Sequence, residues 1–162
     1  MAKNKFQINI DDGRECVPIY NQRKEKIGQF FYAPADIVGI VNRFNSAQKE
    51  LVEFIKPLEQ EVPEFAPNED ESGMIDFTAQ LKPFVEAEQK LFDAIDNIVD
   101  SKGAGKALFS GMGPFAFYKG QFYCFYILDV LQDFLTEQLE EHLKKAEKGV
   151  GKYLKPSAGL AA

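Results

Sequence analysis

FSGMGPFAFYKGQFYCFYILDVLQDFL, residues 109–135, decides how this chain is read: eight Phe or Tyr fall within positions 109–126, and the stretch then continues as a helix. Two uses of so many rings are open. They fill the core of a small domain, or some of them form a surface for a partner. Phe125, Ile127, Leu128, Leu131 and Leu135 are expected in the core of that helix. Phe115, Phe117, Tyr118, Phe122 and Tyr123, in the preceding loop and first turn, are the candidate partner-binding residues, and burial of all of them is the competing reading.

Downstream, the helix is expected to run from about Gln121 to Tyr153. Its first half is apolar almost all round. The second half, EQLEEHLKKAEKG, keeps a narrow stripe and sets Glu140 four residues before Lys144 and Glu141 four before Lys145, as a solvated helix does. KPSAGLAA closes the chain, and residues 156–162 are expected to be a disordered tail.

Upstream, Ser101 to Gly105 break the chain, and a second helix fits from about Met74 to Val99. Leu81, Phe84, Val85, Leu91, Phe92, Ile95 and Ile98 would line its buried face; Pro83 either kinks it or marks the first turn of a helix that starts later. The first helix follows APAD, with Asp36 placed as its cap, and carries Ile37, Ile40, Val41, Phe44, Ala47, Leu51, Phe54, Ile55 and Leu58 at helical spacing. Pro57 is its expected stop. Between the two helices, EQEVPEFAPNEDESG reads as an exposed, mobile acidic loop. Ahead of them lie KFQINI, ECVPIYN and KIGQFFYA, separated by DDGR and QRKE, which suggest a small antiparallel meander with Pro18 at an edge or a bulge.

The expected fold is α+β, mainly α: a single domain over 1–155, with a β-meander at about 5–33 and three main helices within 36–154. Ile40, Phe44, Leu51, Phe84, Phe92, Ile95, Leu128 and Leu131 should be buried. With 162 residues, 45% of them hydrophobic, the chain can bury a core without staples. Cys16 and Cys124 form no CxxC or Cys/His set and read as buried, reduced thiols, a disulfide between them being left open. The opening MAKNKFQINIDD lacks the apolar core of a signal peptide, and no run approaches the ~18 to 20 apolar residues of a membrane span, so a cytoplasmic protein is expected.

The net charge of −6 is unevenly spread. Residues 1–50 carry 8 basic and 6 acidic groups, 51–100 carry 3 and 13, and 101–162 carry 8 and 6. An acidic middle argues against nucleic-acid binding, which needs clustered Lys and Arg. Chemistry-bearing patterns are also incomplete. SKGAGKALFSGMGP is Gly-rich, but a phosphate loop would need Gly at 100 and Ser or Thr at 107, where the chain has Asp100 and Ala107. His142 is the single histidine and lies among Glu and Lys, with no partner set for a triad or a metal. Glu69, Asp70 and Glu71 are contiguous, whereas calcium loops space their acids at alternate positions. Asp129 with Asp133, and Asp93 with Asp96, read as helix-surface charge rather than as paired carboxylates of a catalytic site. No cofactor, metal or catalytic residue is expected, and the protein reads as a non-enzyme.

At APADIVGIVNRFN, KALFSGMGPFAFYKGQFYCFYILDVLQDFL and EEHLKKAEKGVGKYL the chain resembles a group of small proteins from phages and prophages of Gram-positive bacteria. The shared pattern is a strand pair ending in a Pro-Ala-Asp helix start, LF followed by PF, an aromatic segment leading into a helix, and a Lys-rich helix end before KY. It covers most of residues 15–154. These proteins resemble the tail assembly chaperones of long-tailed phages. The resemblance implies a protein that coats the tape measure protein, helps recruit tail-tube subunits and acts in the cytoplasm of the infected or lysogenic host. Self-association through aromatic and helical surfaces is expected with it. The alternative is a phage-encoded anti-defence inhibitor that binds a bacterial immune protein through the acidic 59–71 loop.

Overall fold

The computed structural model describes residues 6–60, 68–69 and 73–161, with side chains at 6–59 and 73–149. Strands β1 (Glu15–Tyr20) and β2 (Lys26–Tyr32) pair antiparallel, Glu15 opposite Tyr32 and Ile19 opposite Gly28, with a bulge after Ile19. Asn21 builds the turn between them. Its side-chain oxygen accepts from the backbone amides of Arg23 and Glu25 at 2.9 and 3.0 Å, and Lys24 takes a φ of +63°, the local bonding that favours Asn in turns. Pro18 lies in an edge strand, where its missing donor is tolerated.

The expected third strand does not form. Residues 7–14 have no regular structure, and Phe6, Ile8 and Ile10 are 90%, 82% and 82% exposed. At Asp12-Gly13 only the local bonding that a turn would use is present. Gly13 has a φ of +64°, and the Asp11 and Asp12 carboxylates accept from the amides of Gly13 and Arg14. This bonding does not bring the segment back along β1, so the N-terminal sheet is a two-stranded hairpin rather than a meander.

Apart from two short strand pairs the rest is helical, so the fold is mainly α with an N-terminal antiparallel hairpin, as the sequence led us to expect. A 3-10 turn at Pro34–Asp36 leads into α1 (Ile37–Gln60). The Asp36 carboxylate folds over Gly39, where an added Cβ would lie 2.6 Å from Oδ1, and accepts from Arg43 at 3.3 Å. Ile37, Ile40, Phe44, Leu51 and Ile55 form the buried stripe of α1. Pro57 does not stop the helix. Lying near the C-terminus, it forfeits one amide bond, to the carbonyl four residues earlier, and three further residues stay helical.

After α1, β3 (Asn68–Glu69) pairs with β4 (Ile75–Asp76); the remainder of the expected acidic loop, 61–67 and 70–72, lies outside the described residues. Helix α2 (Thr78–Val99) starts later than Met74 because Asp76 defines its entry: Oδ1 accepts from the Thr78 amide at 2.9 Å and from the Thr78 hydroxyl. Pro83 therefore falls inside the helix rather than in its first turn. At the other end, Asp100 adopts the left-handed conformation at φ +54°, and the Ser101 amide bonds back to the Asp96 carbonyl at 2.9 Å. Arg43 donates to the Ile98 carbonyl at 3.0 Å and Arg14 to that of Asp100, so two guanidinium groups satisfy the carbonyl end of α2 and oppose its dipole.

Asp96 has a structural task that its helix-surface position concealed. Its carboxylate accepts from the amides of Gly103 and Gly105 at 3.0 and 2.7 Å and so fixes the turn into α3 (Ala104–Leu108). Gly105 lies so close to α2 that a Cβ would come within 2.6 Å of Phe92 Cα. Helix α3 also packs on β2. Ser101, buried between them, accepts from the Phe31 amide at 3.2 Å.

Strands β5 (Phe117–Tyr118) and β6 (Gln121–Phe122) precede α4 (Tyr123–Ala161), which packs against α1. The trace of α4 passes Tyr153 and runs through residues 156–161 of the expected tail; Ala162 lies outside the described residues. Phe30 and Tyr32 of β2 meet Phe134 of α4 with ring centroids 6.4 and 5.4 Å apart, and the Tyr32 hydroxyl donates to Gln138 at 3.0 Å. Burial, with Glu15 and Glu141 nearby, raises the Tyr32 pKa. Leu139 is the last side chain of α4 packed on the core among those described. No helix among the described residues is long and apolar enough to cross a membrane.

Candidate functional site

The ring-rich segment contains a tight hairpin that sequence periodicity missed. Phe117 faces Phe122 and Tyr118 faces Gln121, and the two residues between, Lys119 and Gly120, have φ of +53° and +80°. Two positive φ values make the primed turn that matches strand twist. The signal was the dipeptide Lys119-Gly120 between aromatic pairs. This hairpin and its approach cap the last helix: the carbonyls of Ala116 and Pro114 accept from the amides of Tyr123 and Cys124 at 2.7 and 2.9 Å. Amide groups otherwise orphaned at a helix start are thereby satisfied.

The hairpin sorts the rings into two branches. In one, Phe122 meets Phe115 and Phe117, each at 5.3 Å, and Phe84 of α2 at 6.5 Å, while Phe84 meets Phe115 at 5.4 Å. In the other, Tyr118, Tyr123 and Tyr126 meet mutually at 4.9–5.8 Å, edge-on or tilted. Phe109 joins the second branch to the core, lying 6.2 Å from Tyr123 and 5.6 Å from Phe92. Lys119 holds its ammonium over Tyr118 at 5.2 Å. Burial raises the pKa of Tyr123, helped by the neighbouring Tyr126 and Tyr118.

Of the candidate partner-binding residues, Phe122 is buried at 3% exposure and belongs to the core, because β6 turns it inward against Phe84 and Phe115. Phe115, Tyr118 and Tyr123 are half-buried, and Phe117 is 70% exposed. Of the expected core residues, Ile40, Phe44, Leu51, Ile95, Ile127, Leu128, Leu131 and Leu135 are buried, while Phe84, Phe92 and Phe125 are half-buried.

Beside these rings lies an apolar face that the sequence had assigned to the interior. Leu81 and Val85 of α2 are 52% and 61% exposed. They lie four residues apart and so share one face along the first half of α2, and Phe77, the residue before the helix, is also exposed. The reason is positional. The buried side of α2 runs through Ala87, Leu91, Ile95 and Ile98, and Leu81 and Val85 sit on the flank of that stripe. Between Leu81, Val85 and the loop at Pro114–Ala116 is an open groove of about 260 Å³, floored by Phe84 and Phe115. Phe117 does not line the groove; it is exposed on the hairpin and is linked to the groove floor through the buried Phe122, which meets both Phe84 and Phe115.

The other candidates are dispersed. His142 is half-exposed on α4, and Asp93, Asp129 and Asp133 are exposed on their helices. No group of three or more His, Cys, Asp or Glu suited to a metal occurs among the described residues. Cys124 is buried at the start of α4, and burial pushes its thiol pKa up to about 12. Cys16, expected to be buried, is exposed on the outer side of β1; both cysteines are free. Comparison with protein-family models, with curated proteins and with solved structures gave no match.

Proposed function

We propose that this chain is a protein-binding module whose client is a helix, received on the surface of Phe77, Leu81, Val85 and Phe117. The particular protein we infer is a non-enzymatic tail assembly chaperone of a long-tailed phage, which coats the tape measure protein and helps recruit tail-tube subunits in the cytoplasm of the bacterial host. One observation carries the reading: the apolar stripe of α2 and the adjoining groove are open on a face rimmed by aromatic rings. Amphipathic helices dock into grooves of this kind through side chains three and four residues apart. The resemblance of the ordered sequence motifs to those of phage and prophage proteins is what points to the tape measure protein as that client. A contiguous exposed apolar patch, unlike a single exposed side chain, marks an interaction surface, and a coat protein would use one repeatedly along an extended partner.

Titration calorimetry with the purified tape measure protein tests the reading. Val85→Asp and Phe117→Ser should each weaken binding at least tenfold, about 1.4 kcal/mol, with the helical circular dichroism unchanged. Unaltered affinity in both variants would remove the surface from consideration. Absence of binding by the wild-type chain would leave the inhibitor alternative as the better reading.

A further inference from the structure

The N-terminal arm, residues 7–14, has the alternation of a strand and pairs with no strand among the described residues. Gln7 donates its side-chain amide to the Asn9 side chain at 2.7 Å, so these two polar groups share one side of the arm. Alternation then puts Ile8 and Ile10 on the other side, where each is 82% exposed. The root of the arm is held in place, because Arg14 is bonded to the Asp100 carbonyl and lies 3.5 Å from the Asp100 carboxylate.

The N-terminal hairpin has one open edge. On the β2 side the Phe31 amide is taken by Ser101, and Gly28 lies against Ala107, whose carbonyl would be 3.1 Å from an added Cβ. On the β1 side no further strand pairs among the described residues. Val17 and Ile19, the inward-facing apolar residues of β1, remain half-buried there. An exposed edge is a template for another chain. Pro18 removes one donor from it, which weakens indiscriminate pairing and favours a strand that brings its own apolar side.

We propose that the arm of one copy adds as a strand to the β1 edge of a second copy, with Ile8 and Ile10 covering Val17 and Ile19. Gln7 and Asn9 then lie on the outer side, the side that carries Cys16, Pro18 and Tyr20. Each copy offers one arm and one edge, and the two surfaces differ, so two copies that exchange arms reciprocally close as a dimer, whereas one-way addition is head-to-tail and builds rings or open spirals; the coat reading calls for the second. The main-chain ladder supplies affinity and the alternate side chains set register. This deepens the coat reading, which requires a repeating contact and is the reason for seeking one.

Cys16 provides the test, being the exposed thiol of this edge. In the full-length Asn9→Cys chain, mild oxidation should give a ladder of covalent dimers and higher species on non-reducing gels. The ladder should vanish in Asn9→Cys/Cys16→Ser. In parallel, Ile8→Asp/Ile10→Asp should lower the light-scattering mass to that of a single chain while the helical circular dichroism is unchanged, since both side chains are exposed in the monomer. An internal disulfide without a ladder, a wild-type chain that is monomeric at every concentration, or an aspartate variant with undiminished mass would each overturn the proposal. These measurements use the chain alone. If they fail while the wild type still binds the tape measure protein in a Val85-dependent manner, the arm is excluded and the coat reading stands.

Discussion

Replacing Phe122 and Phe117 separately by Ala distinguishes the two uses of the ring-rich segment. Phe122 is 3% exposed and lies within 5.3–6.5 Å of three other rings, so its removal leaves a cavity between α2 and the hairpin. Core Phe→Ala changes cost about 3–5 kcal/mol. At about 2–4 °C per kcal/mol for a domain of this size, that is a fall in melting temperature of about 6–20 °C. Phe117 is 70% exposed and meets Phe122 at 5.3 Å, so its loss forfeits about 0.5–1.5 kcal/mol of ring pairing. Urea denaturation of both variants, with midpoints compared at unchanged slope, reads the difference. Equal costs at the two positions, or a neutral Phe122→Ala, would refute the sorting of rings into core and surface.

Gly105→Ala should lose about 1–3 kcal/mol in the same assay, because the new methyl meets the Phe92 backbone, which cannot rotate away; a stable variant would mean that α3 is free to shift. One thiol, Cys16, should react with a thiol reagent in the native protein and two after unfolding, since burial keeps Cys124 protonated with a pKa of about 12; two fast thiols in the native state would contradict the packing at the start of α4. The Asp76 carboxyl is held below its ordinary value by its side-chain and backbone bonds from Thr78. Its contribution is therefore fully present above the ordinary carboxyl pKa and is lost as pH falls through the lowered value of the folded state. Thr78→Val should flatten that part of the acid-unfolding curve, and an identical curve would show that the Thr78 hydroxyl does not stabilise the carboxylate.

Helical periodicity was most reliable where an element has neighbours along its length. The stripe of α1 from Ile37 to Ile55 was legible because α2 and α4 both pack against it. The same reasoning failed for Leu81 and Val85: spacing tells which side chains share a face, and no more than that, whereas burial depends on whether another element reaches that end of the helix. KFQINI failed for a related reason. Its alternation is that of a strand, but a strand also needs an edge to join, and residues 11–14 do not fold the segment back along β1. Within the aromatic segment, residue type dominated the reading and hid a six-residue hairpin whose only local mark is Lys119-Gly120. Asp96 looked like surface charge because its partners, the amides of Gly103 and Gly105, are backbone groups that no sequence pattern advertises.

The central claim is that many copies of this chain line one extended helical client through the face bearing Val85 and Phe117. The mass of the complex formed with the purified tape measure protein, measured by light scattering at saturation, tests it most directly. The account predicts several copies per tape measure chain, with the number rising with the length of the tape measure segment used and the complex failing to form with Val85→Asp. A complex that holds one copy whatever the segment length, or one that forms equally well with Val85→Asp, would contradict it.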